Sequence, residues 1–362
     1  MRPYRRPLER ALIVGIVALT LAACGSSNGG QSQGGGQPSG GQQKFTKAVF
    51  GSVSNLMHTP EYVAVQKGFY AQNGLNVQLK IFDSGSDVTK ALKAGTVDFG
   101  SAGTTSVQPA RAAGVPLKLL GGEMNDSTSA EYDGPLGIVG RKDRGVTNDP
   151  SSIKGKKIGS LAGSTTEDYL RLFLQRHHMT EKDVHIVNLD VPDHPVSLKQ
   201  GDVDAVVSWE PYVSQEVKEL GGNAVTVSRG DPLVGYVIGM GALDTSITSK
   251  RATVQKFVAA MAEADWYIRQ HPDQAAAAAA NYLQGLDVGL ATEAIKSHAK
   301  WDPRISPCTE KAVDKATKDL VKAGKITKAM PVNQLVDTSF IDQVEKQHPE
   351  WFKDLPPLPK TC

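Results

Sequence analysis

Along most of this chain, short apolar runs alternate with stretches of helical spacing, and that rhythm restricts the fold more than any other feature. Lys47–Val53 (K-A-V-F-G-S-V) alternates small and apolar residues and reads as a strand. After a short loop, Glu61–Phe69 carries helical spacing at Tyr62, Val65 and Phe69. Asn76–Phe82 alternates with period two and predicts a second strand. Ser84–Asp87 then supplies helix-capping residues ahead of V-T-K-A-L-K-A, a helix that Gly95 ends. V-D-F-G-S-A-G, Leu117–Gly122 and Pro135–Gly140 continue the strands. Strand–helix alternation of this kind predicts a mostly parallel sheet covered by helices.

A second unit of the same kind begins near Ile153. Lys156–Ser160 is its first strand, and Ser164–Glu167 (S-T-T-E) has the form of a capping box before D-Y-L-R-L-F-L-Q-R. Val184–Leu189, Val203–Trp209 and Ala224–Ser228 supply further strands. Near Tyr236–Gly241 the chain returns to the first unit. Four helices should follow, over Lys250–Gln270, Gln274–Leu283, Ala291–Lys300 and Thr309–Val321. The expectation is therefore an α/β protein of two Rossmann-like lobes with a cleft at the hinge. Residues 45–137 with 236–362 form the first lobe and 138–235 the second. Ligands of open α/β sheets sit beyond the carboxyl ends of strands, at helix N-termini.

The amino terminus reads separately from this body. Arg2, Arg5, Arg6 and Arg10 precede an apolar run from Ala11 to Ala23, too short for a bilayer span of about 20 residues. The run ends in L-A-A-C, which resembles the lipobox of bacterial lipoproteins. Residues 1–23 are thus expected to be a lipoprotein signal peptide, with Cys24 the lipidated residue. An ordinary signal with an incidental Cys is the alternative. Residues 24–44, rich in Gly, Ser and Gln, have no apolar side chains to offset ordering entropy and read as a flexible tether. The expected location is the outer face of the cell membrane, reached through the lipid.

Removing the leader's four arginines and Glu9 takes the formal charge of +2 to about −1, with no basic stripe for nucleic acid. Cys308 and Cys362 remain. In an oxidising compartment they could pair and pin the tail; two incidental thiols are the other reading. No nucleophile elbow, H-E-x-x-H or C-x-x-C is present, which argues against an enzyme. His177, His178, His185 and His194 cluster in sequence, but they read better as a solvated surface than as a zinc site.

Five phrases in order carry a resemblance. His58–Leu79 (H-T-P-E-Y-V-A-V-Q-K-G-F-Y-A-Q-N-G-L-N-V-Q-L), Gly85–Gly100, Ile153–Gly159, Leu198–Tyr212 and Val336–Ile341 are similar to the taurine, alkanesulfonate, nitrate and thiamine-precursor binding proteins. The resemblance spans Lys47 to Ile341. It implies the two-lobed type II periplasmic-binding-protein fold and a monomer that delivers a small solute to an ABC permease and its ATPase. No cofactor or resident metal is implied.

By loop position, the first lobe should offer the solute Ser54, Asn55 and His58, Ser84 and Ser86, Ser101, Thr104 and Thr105, and Met124 and Asn125. The second should offer Ser164, Thr165, Thr166, Trp209 and Glu210, with Tyr236 at the return crossing. Each also has a structural reading, as cap, core or loop residue. None of these loops carries Lys or Arg. That favours a sulfonate held by amides and hydroxyls, or a neutral aromatic solute stacked on Trp209 or Tyr236. A ligand ammonium becomes possible if Glu210 faces the cleft. An exported metal-binding or regulatory lipoprotein, or an enzyme on the same fold, is the rival reading.

Overall fold

The computed structural model describes residues 45–362; the leader, Cys24 and the tether lie outside the described residues. Among the described residues, ten strands form two five-stranded sheets. The first contains β1 (Thr46–Val53), β2 (Leu75–Phe82), β3 (Phe99–Gly103) and β4 (Leu117–Gly122). The second contains β5 (Asp133–Arg141), β6 (Lys157–Ser160), β7 (His185–Asn188), β8 (Ala205–Trp209) and β9 (Ala224–Gly230). β10 (Ile238–Leu243) returns to the first.

The strand orders correspond: β2-β1-β3-β10-β4 in the first sheet, β7-β6-β8-β5-β9 in the second. Each sheet has parallel pairs at one side, β1 with β2 and β3, and β6 with β7 and β8. Each also takes one antiparallel strand beside its third, β10 against β3 and β5 against β8. Those two strands are the ones that cross between the sheets, so they enter against the prevailing direction. The expected boundary after residue 137 would cut β5, which is whole and lies entirely in the second sheet. The crossing therefore precedes Asp133.

β5 is buried along nearly its whole length, as befits a strand flanked on both sides. Asp133, at its start, is fully buried and accepts the N–H groups of Leu233, Val234 and Tyr236 at 2.7, 2.6 and 2.6 Å. One carboxylate thus ties the outgoing crossing to the returning one.

The expected helix over Glu61–Phe69 is instead Thr59–Gln66, followed by a short turn at Phe69–Gln72. Gly68 separates them at φ +74°, a conformation that side chains disfavour. Arg251–Gln270 is the long helix packed on the first sheet. Its Phe257 stacks on Phe99 with ring centroids 4.0 Å apart and meets Phe50 edge-on at 5.0 Å. Pro272–Ala279, Val288–Ser297 and Pro307–Lys322 follow near the expected positions. Two further helices, Val332–Leu335 and Ser339–Gln347, follow beyond the four expected ones. Cys308, buried at the start of the Pro307–Lys322 helix, is disulfide-bonded to Cys362. None of the described helices is long and apolar enough to cross a membrane.

Candidate functional site

The carboxyl ends of strands from both sheets converge on one narrow cleft. Val53, Asn55 and His58 come from the end of β1 and its loop; Gly103 and Ser106 follow β3; Gly85 opens the Gly85–Lys93 helix. Opposite stand Ser164 and Thr165 at the head of the Thr165–Arg176 helix, and Trp209 at the end of β8. Tyr236 enters from the return crossing. The void among them is about 20 Å³, room for a single water. The cleft is closed, and any organic solute requires the two sides to part.

Hydrogen bonds across the cleft hold it shut. Ser86 Oγ donates to the Gly163 carbonyl at 2.7 Å, and Thr105 Oγ1 lies 3.0 Å from Thr165 Oγ1. At Gly103 the approach is close enough that a Cβ would stand 3.3 Å from both Thr165 Oγ1 and the Tyr236 ring, so any side chain there would occupy the cleft.

The local chemistry follows from the caps. Ser164 Oγ accepts Thr166 N–H at 3.2 Å, so Ser164 is the expected N-cap, though through the second helical N–H rather than the third. Glu167 does not complete the box on Ser164; its carboxylate takes the Gly163 N–H at 2.6 Å instead. Asn55 Oδ1 accepts Met57 N–H at 2.8 Å and so stiffens the turn that carries His58. Trp209 is buried, and its indole N–H has no partner among the described residues. An unpaired donor in such a place is costly unless something else meets it.

Six expected residues line the void: Asn55, His58, Ser164, Thr165, Trp209 and Tyr236. Ser86 and Thr105 stand at its edge through their cross-cleft bonds. Ser101 lies directly behind His58, its Oγ 2.8 Å from Nδ1. Ser54 is half-buried and does not line the void. Ser84 caps the Gly85–Lys93 helix, and Thr104 and Thr166 are buried without lining it. Three expectations are corrected. Glu210 does not face the cleft: its carboxylate is engaged by Arg229 and by Ser214 Oγ at 3.0 Å. Met124 belongs to the core. Asn125 turns away to the carbonyls of Asp302 and Arg304, at 3.2 and 2.8 Å. The β4 end where both sit is covered by the carboxy-terminal segment rather than opposed by the second sheet.

Residues behind the cleft were missed. His58 Nδ1 lies 2.9 Å from Glu61 Oε1 and 3.8 Å from Glu123 Oε2, and all three side chains are buried. Burial pushes the His58 pKa down to about 4 against the pull of Glu123. Burial also raises both carboxyls, Glu123 further through the charge of Glu61. The signal available in sequence was His58-x-x-Glu61 on one helical turn, and an acid closing the apolar run L-K-L-L-G-G-E. Of the clustered histidines, His194 is buried rather than solvated; His178 and His185 are exposed.

A larger cavity, about 380 Å³, lies among Asn125–Thr128, Arg269, Lys296 and Trp301. Only the first-sheet side lines it, so parting of the two sides would not gate it.

Comparison with known proteins fits this geometry. The model of the family described as NMT1/THI5 like matches residues 55–275. A candidate aliphatic sulfonates-binding protein of Bacillus subtilis (strain 168) is 26% identical over 94% of this chain and 98% of its own length. A 4-amino-5-hydroxymethyl-2-methylpyrimidine phosphate synthase of Aspergillus parasiticus is 30% identical, over 45% of each chain. Among solved structures, the alkanesulfonate-binding protein SsuA from Xanthomonas axonopodis pv. citri, bound to MOPS, superposes with a TM-score of 0.68. It is 20% identical and covers 81% of this chain and 98% of that one. The architecture is the periplasmic-binding-protein fold.

Proposed function

Because the chain belongs to the NMT1/THI5-like family, we propose that it is the extracytoplasmic solute-binding component of an ABC importer, anchored through Cys24. One observation carries the reading: loops from both sheets meet at a narrow void lined by Trp209, whose buried indole N–H has no partner among the described residues. Residues 45–132 with 236–362, and 133–235, act as two lobes that part to admit the solute and close on it. Closure is selective because contacts from both sides exist only in the closed state, so a bound solute shifts the population toward it. The closed form is what the permease and its ATPase receive.

The solute is small and organic. No Lys or Arg lines the void, while helix N-termini, hydroxyls and an indole do. Those groups suit a monovalent sulfonate or nitrate-like anion held by amides, or a pyrimidine or aromatic ring against Trp209 and Tyr236. The full-length relative named for aliphatic sulfonates favours the sulfonate. With Glu210 committed to Arg229, a ligand ammonium has no partner there. The half-length match to a pyrimidine phosphate synthase supports a second reading, an enzyme; recovering the solute chemically unchanged after incubation excludes it.

The test is a thermal-shift screen of the full chain against sulfonates, nitrate, pyrimidines and aromatic acids. A solute that binds only the native state adds about 2.7 kcal/mol at a hundredfold excess over Kd. Absence of a shift across that library would remove the proposed solute class. A shift that survives Trp209→Ala unchanged would remove the cleft as its site.

A further inference from the structure

Three carboxylates are enclosed on the first-sheet side with a single imidazole among them. Glu61, Glu123 and Asp265 are all 0% exposed. Glu61 Oε2, Glu123 Oε1 and both oxygens of Asp265 have no hydrogen-bond partner among the described residues. Their charges act on one another, those of Glu61 and Glu123 also on Asp265. Unpartnered anionic oxygens in a dry interior must be met by protons or by a cation.

The donor atoms favour a cation. One atom each from His58, Glu61 and Glu123 falls within 4.8 Å of the others. A zinc ion holding tetrahedral ligands at about 2.0–2.1 Å sets them about 3.3 Å apart. The His58 pairs stand at 2.9 and 3.8 Å, on either side of that value. Ser101 Oγ, 2.8 Å from Nδ1 and bonded to Glu123, lies beside the same groups and holds Glu123 in place. Ser52 Oγ holds Glu61 Oε1 at 3.1 Å from behind, the kind of outer contact that orients a ligating carboxylate. One imidazole with carboxylates suits zinc better than calcium or magnesium, which prefer oxygen alone.

We propose that His58, Glu61 and Glu123 form a divalent-metal site at the floor of the cleft, with zinc its best fit. His58 also lines the void, so the ion would enter by the path open to a solute. With the ion on Nδ1, the ring proton lies on Nε2, leaving His58 a donor toward the cleft. The ion would also bring positive charge to a cleft whose lining has none. The site stands apart from the solute reading, since it needs no second lobe.

The experiment is calorimetric titration of the metal-stripped full chain with zinc chloride, beside magnesium chloride. One zinc per chain should bind, with magnesium giving no comparable heat. His58→Ala and Glu123→Gln should each weaken zinc by about 10–100-fold or more. His194→Ala, distant from the site, should leave it unchanged. Zinc binding that both site variants retain in full would mark the exposed histidines as the ligands and overturn the proposal, as would no zinc heat at all. Cobalt absorbance on the unmutated chain guards against variants that fail to fold: ligand-field bands of a nitrogen–oxygen site are expected, and a spectrum no different from aqueous cobalt refutes it. A solute-induced thermal shift in stripped protein that binds no zinc would sink the metal site alone and leave the solute reading intact.

Discussion

Two buried His–Ser–Glu chains occupy corresponding places beside the two sheets, and they end differently. Ser101 lies on β3 and Ser208 on β8, the third strand in each sheet's order. In the second, His194 Nε2 faces the Leu189 carbonyl at 3.1 Å, and Nδ1 faces Ser208 Oγ at 2.8 Å. A carbonyl only accepts, so Nε2 carries the proton, Ser208 donates to Nδ1, and Glu216, 2.5 Å from Ser208, donates in turn. Burial raises the Glu216 carboxyl, which keeps that proton in place. Both nitrogens are satisfied and the chain is closed. In the first, Nδ1 faces Glu61 and Ser101 together, the second carboxylate has no counterpart, and Nε2 has no partner among the described residues. The same polar motif serves as a strut in one half and as an open-ended site in the other.

The sharpest way to break this comparison is the same truncation on both sides. His194→Ala removes two hydrogen bonds and leaves a hole, and should cost about 3 kcal/mol. Any solute-induced thermal shift should survive it. His58→Ala leaves a comparable hole beside Glu61 and Glu123 and should cost at least as much, about 3 kcal/mol, while also abolishing the solute shift. Denaturant melts with and without the solute found in the screen would measure both. A solute shift intact in both variants would make both chains struts.

Acidification gives a second, comparable effect. Burial pushes the His194 pKa down from 6.5 to about 4, the Leu189 carbonyl pulling the other way. The folded state therefore binds fewer protons than the unfolded state between those values. Stability from this residue is fully present above pH 6.5 and is lost as pH falls toward 4, by at most about 3 kcal/mol. His194→Gln should flatten the fall in that window. An unchanged slope would mean the imidazole titrates freely, and the closed chain would lose its basis.

Much of this was legible beforehand, and the gaps have physical causes. β2 fell where period-two alternation put it and β4 where a short apolar run did, because one-sided or full burial of a strand writes itself into local pattern. The antiparallel β5 and β10 were not legible as such: Pro135–Gly140 is a good strand in either sheet, and only its long-range partners decide which. Glu61 and Glu123 escaped for a related reason. An acid in the first turn of a helix ordinarily faces solvent and the dipole, and one after Gly121-Gly122 ordinarily marks a turn. The polar residue that reaches the site from the end of β4 is Glu123, two positions before Asn125, because the backbone turns Asn125 toward Asp302 and Arg304.

The smallest effect probes the contact between the two halves. Ser86 is the only hydroxyl donor to the Gly163 carbonyl among the described residues, and the contact is solvent-accessible, so water replaces much of what Ser86→Ala removes. A net loss of about 0.5–1 kcal/mol follows, roughly a two- to fivefold rise in the open fraction. Because a void of about 20 Å³ admits no organic solute, loading must pass through the open form. The association rate should rise by the same factor until opening ceases to limit it, and stopped-flow mixing would read it directly. Thr105→Val removes a more buried bond to Thr165 and should move the rate further than Ser86→Ala. If neither variant changes the rate while both lower the melting temperature, the two sides separate by some route that leaves these bonds intact, and their role as the latch is wrong.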